Sequence, residues 1–142
     1  MKIAIGGDHA GFHHKEKIKQ HLNDLGHEVK DYGTYSEEST DYPDYAHPLS
    51  SAVEKGDHEF GVLVCGSGNG VCMTANKHQG IRAALVWNED LAALARQHNN
   101  ANVICIPERF VADDLAIKMV EIFVTTDFEG GRHERRVGKI HC

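Results

Sequence analysis

At 142 residues, with 41% hydrophobic and 25% charged side chains, the chain has the makeup of one domain that can bury a continuous core without disulfides or a structural metal. A net charge of -6 argues against nucleic acid as the main partner, because phosphate-backbone binding is driven by clustered Lys and Arg. The opening MKIAIGGDHAG has no apolar h-region, and no run of about 18 apolar residues follows, so the expectation is a cytoplasmic protein without a membrane partner.

Apolar runs recur at intervals separated by segments of helical length, the pattern of an α/β chain. Lys2 to Ile5 reads as the first strand, followed by a helix over Phe12 to Leu25 that places Ile18, Leu22 and Leu25 at helical spacing. Gly26 stands where a helix C-cap needs a left-handed residue. Glu28 to Asp31 is the second strand. Pro43 and Pro48 leave the start of the helix before Gly56 open, since proline is tolerated only in a first turn.

Phe60 to Val64, Ile81 to Val86 and Asn102 to Ile106 are the remaining strands, continuous enough in apolar residues to be buried on both faces. The sheet is therefore five-stranded and parallel. Helices are predicted over Val71 to Lys77, Asn88 to His98 and Ala112 to Val124, with Asn88 and Asp113 or Asp114 near N-termini. From Asp127 to the end the chain is polar and Arg-rich, with too few apolar residues to pack a helix on its own core; it is expected to dock on a second subunit.

Cys65, Cys72, Cys105 and Cys142 are spaced like neither a zinc site nor a disulfide scaffold and read as reduced thiols. The eleven histidines include no HExxH pair on one helical face, so most read as solvated surface residues and no metal site is expected.

In an open parallel sheet, ligands bind beyond the carboxyl ends of the strands near the switch in strand order. Three such ends carry chemistry: Gly6-Gly7-Asp8-His9, Cys65-Gly66-Ser67-Gly68-Asn69-Gly70, and Pro107-Glu108-Arg109. The glycines of CGSGNG can turn backbone N–H groups toward an anion, or can merely let the chain reverse. Cysteine at the start of that run favours the first reading, because a thiol beside a helix N-terminus has its thiolate stabilised by the dipole and by N–H donors. Cys72 and Cys105 lie in apolar contexts and are assigned to packing.

A phosphatase loop would need an arginine six positions after the cysteine, where Val71 stands; a phospho-acceptor domain would need an aspartate at Cys65 and a lysine at Ile106. His98 and Asn99 end the fourth helix, where they reach toward the same cleft or simply cap the helix. Asp8 and His9 carry the same ambiguity. Arg132 and Arg136, four apart, share a face on a helical tail and with Arg109 could grip a phosphate, or they belong with Arg135 to a solvated tail.

Taken in order, GGDHAG at 6–11, TDYPDYA at 40–46, CGSGNG at 65–70, ANK at 75–77, RQHNNAN at 96–102 and GGRHERRV at 130–137 resemble ribose-5-phosphate isomerase type B. That family also holds allose-6-phosphate and galactose-6-phosphate isomerases. The resemblance implies a three-layer Rossmann-like or flavodoxin-like fold, a homodimer or dimer of dimers with sites between subunits, and no metal or organic cofactor. The implied activity is aldose–ketose isomerisation of a small-molecule sugar phosphate, within the pentose phosphate pathway. It further implies Cys65 as proton acceptor and His98 as the group assisting ring opening. Asp8, His9, Tyr42 and Asn99 would contact substrate, Gly66, Ser67, Gly68, Asn69 and Gly70 would hold the enediolate, and Arg109, Arg132 and Arg136 the phosphate. One branch of the family uses a glutamate just after the glycine loop as base; here Val71 stands there, leaving Cys65. A six-carbon substrate, and a non-catalytic sugar-phosphate sensor, are the competing readings.

Overall fold

Each apolar run becomes a strand. In the computed structural model, which describes residues 1–141, β1 (Lys2–Gly7), β2 (Glu28–Asp31), β3 (Phe60–Cys65), β4 (Ala83–Leu85) and β5 (Val103–Pro107) form one parallel sheet. Helices α1 (Phe12–Asp24), α2 (Pro43–Glu54), α3 (Asn69–Ala75), α4 (Glu89–Gln97), α5 (Asp113–Thr125) and α6 (Arg132–Val137) complete the chain. Cys142 lies outside the described residues; Cys65, Cys72 and Cys105 are free thiols.

Side chains of successive strand residues point to opposite faces, so each interior strand feeds two cores. Ile3, Ile5, Val62, Val64, Ile104 and Ile106 meet α1, α4 and α5 through Ile18, Leu22, Ala95, Met119 and Phe123. Ala4, Leu63, Cys65, Val103 and Cys105 meet α2 and α3 through Leu49, Val53, Val71 and Ala75. The result is a three-layer α/β sandwich of the Rossmann-like kind, and among the described residues no helix is long and apolar enough to cross a membrane.

Local signals place the helix ends. Gly26 takes φ +88° just past α1, Asn88 caps α4 by accepting from Leu91 N–H at 2.8 Å, and Asp113 opens α5. Pro43 is the first residue of α2, where its missing N–H costs nothing, while Pro48 lies inside the helix. The expected strand over 81–86 shortens to three half-buried residues, because β4 is an edge strand with a neighbour on one side only.

The strand order is β2-β1-β3-β5-β4, which differs from the flavodoxin order by exchange of the last two strands. β5 is thereby inserted beside β3, pairing Cys65 with Pro107 and bringing the turn after β5 against the glycine loop. The order reverses between β1 and β3, so the switch point falls where Asp8 and Cys65 emerge.

Candidate active site

β3 delivers Cys65 to the carboxyl edge of the sheet, where the chain turns through Gly66–Gly70 into α3. The residue is 5% exposed, and its Sγ accepts the N–H of Gly68 at 3.2 Å. Gly68 makes this turn with φ +76°, and a Cβ there would lie 2.5 Å from Leu85, so only glycine satisfies both conditions.

Burial pushes the Cys65 thiol above its ordinary value, and the Asp8 carboxylate adds to this; N–H groups of Val71, Gly68 and Gly70 pull the other way without prevailing. The N–H donors expected at the helix terminus are present, but desolvation outweighs them, so the thiolate is disfavoured and not favoured. Two of the loop's amides are also engaged locally: Gly68 N–H on the sulfur, and Asn69 N–H on Ser67 Oγ at 3.2 Å.

Around the thiol stand the other residues of the carboxyl edge. Asp8 is buried and accepts from Ala10 N–H at 3.0 Å, and His9 Nδ1 accepts from Thr40 N–H at 3.1 Å. Tyr42 lays its ring over Gly70, so closely that a Cβ on Gly70 would come within 2.6 Å of it. Arg109 donates its backbone N–H to Gly66 O at 3.1 Å, and its guanidinium covers the Gly66 Cα. It makes no ion pair among the described residues, which leaves its fork open to an anion.

His98 and Asn99 are elsewhere. α4 runs antiparallel to the strands, so its C-terminus lies beside the amino ends of β3 and β5, where Gly61 pairs with Val103. β3 separates the two ends by roughly 17 Å at about 3.3 Å per residue. The expectation that His98 and Asn99 reach the Cys65 cleft therefore fails within one chain, since a crossover helix ends at the opposite edge from the strand it follows.

At that amino edge the tail folds back. α6 forms without an apolar face of its own by seating His133 on the His98 ring, with centroids 4.2 Å apart and planes 10° from parallel. Glu129 approaches His98 Nε2 at 3.7 Å and His133 Nε2 at 3.8 Å. Partial burial, with the positive charge of His98, Arg132 and Arg136, holds His133 below the ordinary histidine range. His98, Asn99, His133 and Arg136 line a cavity of about 360 Å³. Arg132 and Arg136 are exposed and, among the described residues, without carboxylate partners.

His98 is the backbone C-cap of α4, yet its ring stacks on His133 and does not reach the free carbonyls. Arg96 holds this corner together: its guanidinium lies over Phe60 at 4.8 Å and donates to Ala101 O, Asn100 Oδ1 and Thr126 O. His133, Glu129 and Arg96 escaped the sequence reading, although all but Glu129 lie in the motifs quoted above. The reading of histidines as mostly solvated also missed His14 and His133, which are buried.

The profile of the ribose/galactose isomerase family matches residues 3–140. The chain belongs to that family. A probable ribose-5-phosphate isomerase B of Mycoplasma genitalium is 49% identical over 99% of this chain and 93% of its own length. Among solved structures, a ribose 5-phosphate isomerase of Thermotoga maritima superposes with a TM-score of 0.97 at 51% identity, covering 99% of this chain and 97% of that one. A Mycoplasma genitalium ribose-5-phosphate isomerase B with bound ribulose-5-phosphate gives a TM-score of 0.94 at 49% identity, covering 98% and 93%. The family's agreement with this fold extends to the exchanged strand order only through such whole-chain superposition; no single motif encodes it.

Proposed function

We propose that the chain interconverts ribose 5-phosphate and ribulose 5-phosphate through a cis-enediolate, with Cys65 moving the proton. The observation that carries this reading is the Cys65 sulfur held at the sheet's switch point against the loop amides, in a chain of this family.

The division of the site between two edges of the sheet favours a homodimer, or a dimer of dimers, over a monomer. In a two-fold arrangement, the same patches meet twice, so the Cys65 edge of one subunit faces the His98 edge of its partner and two equivalent sites arise. Arg109 then comes from one chain and Arg132 and Arg136 from the other. The tail from residue 127 is the segment that docks on the neighbour. On this reading the chain is one domain, and its polar α6 is covered by the second copy.

His98, held by its stack, assists opening of the furanose ring by proton transfer between ring oxygen and C1 hydroxyl. The Cys65 thiolate takes the proton from C2 and the electron pair moves to form the C1–C2 enediolate; the thiol, partly exchanging with solvent, returns a proton to C1 while the O2 hydroxyl proton passes to O1, which gives the ketose. Charge developing on the enediolate oxygens meets N–H groups of the 66–70 loop, and losing one such donor typically costs on the order of 100-fold. Tyr42, Asp8, His9 and Asn99 position the sugar hydroxyls. The three arginines hold the phosphate, turning its binding energy into orientation of C1 and C2.

Isomerisation and solvent-deuterium exchange at C2, measured for the wild type and Cys65→Ala with five-carbon and six-carbon sugar phosphates, test this. Loss of exchange and turnover, with binding by calorimetry retained, is expected, as is a preference for the pentose. Exchange persisting in Cys65→Ala would remove Cys65 from the role, and faster turnover of allose 6-phosphate would reassign the substrate.

A further inference from the structure

Away from the Cys65 loop, three segments converge behind the carboxyl edge: the first turn of α1, the turn Glu108–Phe110 after β5, and the start of α5. His14 is 6% exposed, and its Nε2 lies 2.7 Å from the Val111 carbonyl oxygen. A carbonyl only accepts, so Nε2 carries the hydrogen. Nδ1 is then left buried with a bare lone pair and no hydrogen-bond partner. It nonetheless faces two carboxylate oxygens, Glu108 Oε1 at 3.2 Å and Asp113 Oδ1 at 3.0 Å.

A lone pair set against two anionic oxygens is repulsive unless positive charge lies between them. His13 extends the cluster, its Nε2 standing 3.2 Å from Asp113 Oδ2. The donor atoms of His13, His14 and Asp113 all lie within 4.8 Å of one another. Bonds of about 2.0–2.2 Å to a tetrahedral zinc ion put its ligands about 3.3 Å apart; the two Asp113 contacts, 3.0 Å and 3.2 Å, have this length, and side-chain rotation closes the rest of the trio to it. Two other features match a metal site. A ligating imidazole commonly donates its second N–H to a backbone carbonyl, as His14 does to Val111. Glu108 stands beside the trio as an outer carboxylate, its Oε1 held by the backbone N–H of His14 at 2.5 Å.

We propose that His13, His14 and Asp113 form a divalent transition-metal site of nitrogen and oxygen ligands, with the Glu108 carboxylate beside it. Two neutral imidazoles and two carboxylates carry a charge of about minus two, which a divalent ion balances and a single proton on His14 does not. The site adds to the hydrogen bonds that already tie the first turn of α1 to the turn bearing Arg109 and to Val111. Zinc is the best fit to this donor set, with cobalt as a substitute in the same geometry.

The test uses the full chain stripped with chelator, titrated with Zn²⁺ by calorimetry and with Co²⁺ by absorption. The expected result is one ion per chain, cobalt bands free of thiolate charge transfer, and a thermal midpoint that rises with Zn²⁺ because only the folded chain presents the ligands. His13→Ala removes an exposed ring and leaves the fold intact; it should weaken Zn²⁺ at least about 10-fold, as should Asp113→Asn, while His133→Ala leaves it unchanged. Binding that survives both substitutions, binding lost instead with His133→Ala, a thiolate band, or no binding up to about 1 mM Zn²⁺ would each overturn the proposal, the last leaving a proton as the occupant.

Discussion

The imidazole of His98 lies face to face with that of His133, so the ring on α4 takes its orientation from the C-terminal tail. Glu129, whose backbone N–H donates to Gln97 O at 3.0 Å, clasps both rings from the same side. A residue read as a helix cap or a proton donor is thus positioned by a segment some 35 positions further along the chain.

Replacing His133 with alanine should lower kcat/KM about 10-fold, since an aromatic pair of this kind is worth about 0.5–1.5 kcal/mol. His133→Phe keeps the stack and should recover most of the loss. Steady-state kinetics on the two variants checks this; equal activity of both with the wild type would mean that the tail does not orient His98.

Two inactive variants should complement one another if each site draws on two chains. Cys65→Ala and His98→Ala, unfolded together and refolded as a mixture, form hybrids in which one of the two sites has both groups intact. Random pairing at two-fold symmetry then restores about a quarter of wild-type activity. No recovery, with mixed dimers verified by mass spectrometry, would place both groups in one chain's site.

Alkylation of Cys65 by iodoacetamide, followed by site-resolved mass spectrometry, reports its thiolate directly. Burial and Asp8 hold this thiol above its ordinary value, so its labelling rate should still be climbing past a pH of about 8.5, where a free thiol is half ionised. Asp8→Asn removes the carboxylate and should move the midpoint to lower pH. A Cys65 midpoint below the free-thiol value would contradict the dominance of burial.

Lys15 is fully buried, with Nζ 2.6 Å from Asp31 Oδ2 and 3.1 Å from Glu16 Oε2. Burial alone would raise the Asp31 carboxyl, but hydrogen bonds from Lys15, Lys19 and Gly33 N–H more than offset it and leave it below the usual carboxylate range. A lowered folded pKa contributes stability that is complete above the unfolded value of about 3.9 and is lost as pH falls through the folded one. Asp31→Asn leaves the buried Lys15 charge with Glu16 as its one carboxylate among the described residues and should cost about 3 kcal/mol at neutral pH. Urea unfolding should show that difference narrowing as pH drops below about 3.9, because the wild-type carboxyl protonates as well. A gap independent of pH would assign the cost to packing.

Much of the fold was legible because periodicity is local. The short apolar runs of β1, β3 and β5 and the caps Gly26 and Asn88 depend on neighbours a few positions away, and each appears where the spacing predicts. The carboxyl-edge residues were legible for the same reason: Cys65, its glycine loop and Asp8 each follow a recognisable strand, and in a parallel sheet all strands end on one side. The split of the site was not read from spacing, because the position of His98 depends on which edge of the sheet a crossover helix ends at. The clustering of His13, His14, Glu108 and Asp113 was equally hidden, since it joins residues about 100 apart.

The amino-acid sequence by itself determined the α/β class, the five strands, the carboxyl-edge loop and the family motifs, since backbone periodicity, turn chemistry and residue order need no long-range information. Only the tertiary structure decided that β5 enters between β3 and β4, that Arg109 covers Gly66, that His98 leans on His133, and that the Cys65 thiol is raised and not lowered. Those outcomes depend on which distant surfaces meet and on how much water they exclude, and both follow from packing of the whole chain.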